Sequence, residues 1–340
     1  MAAIYWGAVN KDAVVLSQGY SVRGQSLANL RTALESKINT KSGDLVAAIA
    51  LMRLSDTVLP GAGLQWMIHA EALTQLCRAI GPEAFREPRM RRLLENNRWI
   101  MIAASSIKRI PVIFNQESWK TIPWQDCEKD VVQTLLDVYT RLPNLRVLFD
   151  KLQAAAADDA FKRWREAVDA EIRGSVQVWV YDPKLTSIIP LEPEQTQLSF
   201  QRMHHSYAMI LFNMLVIILS QYHAVVSAPP GTPDIVAGLP KLRADLLTKL
   251  DLPLENPLQR AAIAADEMAR MIAWIMQDRH KCAGALYIAS PAVIADQFWQ
   301  RFSQSKSVWF ATVVSQVNSL WDSYVVCNPD RAGELQGVLM

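Results

Sequence analysis

Apolar residues recur at three- and four-residue spacing along most of this chain, the pattern of helices that bury one face. Leu27–Leu34, Leu45–Leu54 and Gln65–Ile80 each show it, with Leu59-Pro60-Gly61 and Gly81-Pro82 as breaks between them. Arg91–Ile107 is predicted as a further helix closed by Pro111, and Asp130–Leu142 and Leu145–Ile172 continue the pattern. Toward the C-terminus, helices are predicted over Leu198–Val226, Leu239–Leu250, Pro257–Met276, Pro291–Gln304 and Val308–Val326. Ser175–Tyr181 alternates as a strand would, but one strand alone makes no sheet, so it is read as irregular or helical. Two proline-bearing stretches, about 182–197 and 227–238, are predicted loops, and the chain contains no internal repeat. The expected fold is all-α, a single large multi-helix domain over residues 1–340.

The most apolar stretch, "HHSYAMILFNMLVIILS" over His204–Ser220, raises the question of a membrane span. Its uninterrupted apolar run is shorter than the ~18 residues a span requires, and the histidines and Asn213 break it. It is read as a buried helix. Ser206, Asn213 and Ser220 stand seven residues apart, nearly two turns, and with Arg202 they form one polar stripe on an apolar rod. Such a stripe has to find hydrogen-bond partners in neighbouring helices, in water or in a ligand. His205, where the polar start meets the apolar body, is a candidate donor or proton relay, and Asn213 a candidate substrate-orienting donor. Ser206, Tyr207 and Trp274 are candidate substrate-binding residues. Arg98 could fix a carbonyl or anion, or brace helices.

Composition narrows the class. Hydrophobic residues make up 51% and charged residues 20%, with a net charge of +2, which suits a folded core and leaves no basic footprint for nucleic acid. The compact basic run at Arg86–Arg92 is broken by Glu87 and Pro88. Cys77, Cys127, Cys282 and Cys327 lie far apart, and the five histidines (His69, His204, His205, His223, His280) pair with no ligand at helical spacing. No metal and no cofactor is therefore expected. The start "MAAIYWGAVNKD" carries no secretory leader, so an intracellular protein, cytoplasmic or nuclear, is expected. Dinucleotide, P-loop, zincin and serine-hydrolase motifs are all absent. Asp158-Asp159 begins like the aspartate box of a terpene cyclase but runs into Lys162, and Asn318–Asp322 is a poor match to the second metal motif. Eleven tryptophans, among them Trp274, Trp299, Trp309 and Trp321 in the last third, fill core and could shape a cavity for a polycyclic or isoprenoid ligand.

A series of residues in order carries a family likeness. They are His69, then Gly81, Pro82 and Phe85, then Arg98, Arg109 and Pro111, and finally Trp119, Pro123 and Trp124 in "WKTIPW". On these, and on Pro291 and Ala295 further on, the chain over about 12–326 resembles the regulatory, middle-homology-like domain of fungal-specific Zn2Cys6 transcription factors. Ala72 and Ile80 replace the glycine and arginine usual there, and the six-cysteine DNA-binding module is missing. The resemblance implies an all-α fold without direct DNA binding. Two functions stay open. One is a specialised-metabolism enzyme, a cofactor-independent cyclase or isomerase holding an apolar substrate in a hydrophobic pocket. The alternative is an effector-binding transcriptional regulator domain, working as a homodimer or through a regulator partner.

Overall fold

In a computed structural model of the chain, the described residues are 2–35, 43–58, 65–154, 162–163, 165–168, 170–171, 203–227, 257–275, 291–300, 306–313 and 315. Every regular element among them is helical, so the protein is all-α. They fall into two compact units, one running to Lys129 and the other from Asp130 to Val317. The predicted loops 182–197 and 228–238, the alternating stretch 175–181, the predicted helix 239–250 and the Asp158-Asp159 box lie outside the described residues.

The first unit begins with a helical hairpin, α1 (Ala2–Val9) and α2 (Ala13–Glu35). Lys11 takes a left-handed conformation in the turn (φ 55°), and Asp12 caps α2, its Oδ1 accepting from the amides of Val14 and Val15 at 3.0 Å. Glycine allows the close approach of the two helices. A Cβ on Gly7 would stand 2.6 Å from the Leu16 amide nitrogen, and one on Gly19 would stand 2.6 Å from Ile4 Cγ1. Gly24, further along α2, faces open space. Alanine in a helix is worth about 1 kcal/mol over glycine. Gly24→Ala should therefore stabilise the hairpin by up to that amount. Gly7→Ala should destabilise it by about 1–3 kcal/mol despite the better propensity, because the obstacle is backbone. Amide hydrogen exchange along α1 and α2 reads both signs.

Three further helices, α3 (Gly43–Val58), α4 (Gln65–Ile80) and α5 (Pro88–Lys108), pack on one another. α4 ends at Gly81, whose φ of 82° favours glycine and whose amide donates to Cys77 O at 2.9 Å, and Pro82 then opens a short 3-10 turn to Arg86. α5 starts earlier than the apolar period suggested. Glu87 caps it by accepting from the Arg89 and Met90 amides at 3.0 and 2.8 Å, and Pro88 suits the first helical position. It closes on Arg109 in the left-handed region (φ 54°), with Ile110 N donating to Ser105 O at 3.0 Å, two residues before Pro111.

Beyond α5 the chain folds into short turns, Ile113–Asn115, α6 (Glu117–Thr121) and Ile122–Trp124. Their aromatic side chains close one cluster. Trp119 lies 5.4 Å from Phe85 and 5.3 Å from Phe114, centroid to centroid. Trp124 donates its indole N–H to Glu95 at 2.9 Å, with Lys129 over its ring at 4.5 Å. Arg86 and Asp126 fasten the turns from outside with two bonds of 2.9 and 3.0 Å.

In the second unit α7 (Val131–Tyr139) is capped by Asp130 and α8 (Leu142–Ala154) follows at once. The break between them reflects Pro143, which a helix accepts in its first turn but not in its interior. α9 (Met203–Ser227) packs along α10 (Pro257–Ile275) and also on α7, and Phe149 of α8 meets Tyr222 at 4.7 Å. Helices 291–300 and 306–313 complete the described part. Lys306 binds Asp266 of α10 at 2.6 Å and covers the Trp299 ring at 4.2 Å, while Ser307 donates to Asp296 at 3.0 Å.

Candidate functional site

The polar stripe of α9 is real and it is buried. Ser206, Asn213 and Ser220 are 0%, 1% and 6% exposed, amid Ile210, Leu211, Met214 and Ile217, which are equally covered. By length and composition, Ser206–Ala224 could cross a membrane, yet half of that stretch is buried within the structure. Asn213 faces α10. The carboxyl of Glu267 is pushed upward in pKa by burial, an effect partly offset by the Asn213 amide and then by Arg270. Asn213 Nδ2 itself is fully buried and makes no hydrogen bond of ordinary length.

A second anchor holds the same helix. Tyr139 of α7 is wholly buried and donates from its hydroxyl to the main-chain oxygen of Leu211 at 2.5 Å, two residues before Asn213. Burial first, and the neighbouring Tyr207 second, push its phenol well above the usual range. At the far end of α9, Arg260 of α10 meets His223 Nδ1 at 3.2 Å.

The candidate residues divide as follows. Ser206, Tyr207 and Asn213 lie on α9, and Trp274, 3% exposed, lies on α10 beside it. His205 belongs to α9 by its backbone, but its side chain is outside the described residues. Arg98 is in the other unit, 0% exposed within α5, with its guanidinium carbon 5.1 Å from the Trp124 ring centre and 5.9 Å from that of Phe114. Its geometry is that of a side chain bracing an aromatic cluster.

Glu267 and Tyr139 were not singled out from the sequence. Glu267 carried a faint signal, since Ala264, Met268 and Met271, at helical spacing around it, are all apolar. Tyr139 carried none, because its acceptor is 72 residues away.

Elsewhere the chemistry is quiet. Among the described residues no three His, Cys, Asp or Glu side chains gather as metal ligands would. Burial pushes the Cys77 thiol up to about 12, so it stays protonated and unreactive at neutral pH. The first unit carries a groove of about 380 Å³ between α2, α3 and α4, lined by Leu27, Leu30, Ile49, Ala72 and His69 with Arg31 and Glu35. None of the candidate residues takes part in it.

An acid whose pKa is raised by burial has a consequence for stability. The folded pKa of Glu267 lies above its unfolded value near 4.5, so folding takes up a proton in the interval between them. The stability this group contributes is full below about pH 4.5 and is lost as pH rises toward the folded value. Glu267→Gln should therefore melt higher than the parent at pH 7, and the gain should vanish below pH 4.5. Calorimetric melts across that range check it.

The chain matches no protein-family model, no curated protein and no solved structure.

Proposed function

We propose that the chain binds an apolar small molecule through α9 and α10 and promotes its cyclisation or isomerisation without a cofactor. The observation that carries this reading is Asn213, 1% exposed on an apolar helix pair, whose Nδ2 makes no hydrogen bond of ordinary length. A buried donor left unpaired costs about 1–3 kcal/mol, a cost that ligand binding would offset. Pericyclic and isomerising reactions need mainly a shaped apolar surround and one or two fixed dipoles. Asn213 and Glu267 are such groups, Tyr207 and Trp274 are walls, and α9 is a core helix that spans no membrane.

The second reading is an effector-binding regulator domain, acting on DNA only through a partner. It is favoured by the groove beside His69, whose size falls in the range of small-ligand sites. It is favoured too by the clustering of Phe85, Arg98, Trp119 and Trp124, the residues of the fungal-regulator resemblance. Intracellular location, cytoplasmic or nuclear, goes with either reading.

One experiment separates them. The purified chain is incubated with linear polyene and enone substrates able to close rings unaided, and binding, rate and product ratio are measured. Faster ring closure with altered stereochemistry, falling about 100-fold in Asn213→Leu, supports catalysis. Binding with substrate returned unchanged supports the regulator. No binding to any of them sinks both.

A further inference from the structure

Three buried polar atoms, one on α9 and two on the helix 291–300, share one sign. Asn213 Nδ2, Gln297 Nε2 and Trp299 Nε1 are buried nitrogens that donate no hydrogen bond of ordinary length. Nitrogens of these types can only donate. Asn213 Nδ2 carries two N–H groups, and it eases the Glu267 carboxyl's pKa downward without making a bond of ordinary length. Two of them are linked to α10. Asn213 faces Glu267 on α10, the preceding Asp266 holds Lys306 at 2.6 Å, and Lys306 lies over Trp299. Gln297 stands two residues before Trp299 on the same helix.

Donors without acceptors select a ligand by its oxygen. An alcohol or amine would bring donors of its own to a place already rich in them. An anion would have to enter beside the acid of Glu267 in an apolar surround, where a net charge is costly. An uncharged carbonyl brings acceptor lone pairs, no charge and no donor.

We propose, resting on the ligand-binding reading above, that the ligand is an uncharged, carbonyl-bearing apolar molecule, a ketone, enone or lactone, whose oxygen accepts from Asn213. This fixes the polarity of the reaction as well, since a donor on a carbonyl oxygen draws electron density from a conjugated chain and favours attack on it.

The probes are α-tetralone and tetralin, one bicyclic skeleton with and without a ketone, and the anion of 1-naphthoic acid. Saturation-transfer NMR on the full chain measures each dissociation constant, in the parent and in Asn213→Leu. The expected result is that tetralone binds about tenfold tighter than tetralin, the worth of one net hydrogen bond. Asn213→Leu should remove that preference and leave tetralin unchanged. Naphthoate should bind more weakly than tetralone. Because leucine removes an unpaired donor, the variant should also melt no lower than the parent, which shows that it is folded. If tetralin and tetralone bind equally, or the preference survives in Asn213→Leu, the carbonyl assignment fails while ligand binding stands. Preference for naphthoate overturns it as well. If no probe binds at millimolar concentration, the ligand-binding reading itself fails.

Discussion

Trp119→Ala is expected to cost the first unit about 3–5 kcal/mol, the usual range for deleting a buried tryptophan. Its indole is 3% exposed and touches Phe85 on one side and Phe114 on the other. No short shift closes the hole, because the neighbours are held independently. Phe85 sits in a 3-10 turn started by Pro82, and Phe114 in another that follows Pro111. The loss also reaches Arg98, whose buried charge depends on Phe114 and Trp124 for its cation–π contacts. Trp119→Phe keeps a ring in place and should cost about half as much or less. Urea titration followed by hydrogen exchange in α4 and α5 gives both values. A cost below about 1 kcal/mol for Trp119→Ala would mean that the cluster is not core, and the bracing role of Arg98 would fall with it.

Long helices with a one-sided apolar period could be read from the residues. Gln65–Ile80 is found with those limits, and Pro257–Ile275 within one residue of expectation. Two kinds of element could not. α1 reads "AAIYWGAV", apolar on every side, so no period marks it. α2 was visible only around Leu27–Leu34, because the half before it keeps most side chains in water and shows no buried stripe. What holds that half is Gly7 and Gly19 against α1, an approach that a residue list does not reveal.

The site divides along the same line. Asn213, Ser206 and Ser220 share a face because seven residues make nearly two turns, and that periodicity needs only the sequence. The group opposite them does not follow from any local rule. Glu267 is 54 positions beyond Asn213, and which of the acids on α10 turns toward α9 is set by helix packing. Arg98 shows the same limit, since the sequence left an anion site and a brace between helices both open. Its aromatic neighbours come from turns whose folding the sequence pattern does not specify.

Tyr139→Ala is expected to cost the second unit about 3–5 kcal/mol and Tyr139→Phe about 1 kcal/mol. The two numbers separate ring from hydroxyl. The ring, 0% exposed, fills the junction of α7 and α9, and alanine leaves a cavity there. The hydroxyl adds a bond to Leu211 O, an oxygen that already serves the helix ladder, so phenylalanine leaves no acceptor stranded. Alkaline pH sharpens the comparison. The phenol's folded pKa lies well above its ordinary value of 10, so above pH 10 the unfolded chain loses a proton that the folded chain keeps. Parent stability should therefore fall as pH rises past 10, an effect absent in Tyr139→Phe. The variant starts about 1 kcal/mol less stable at pH 7, and the gap should close or reverse in alkali. A constant gap across that range would place the Tyr139 hydroxyl in water and detach α7 from the α9 main chain. The register of Asn213, two residues along, would then depend on α10 alone.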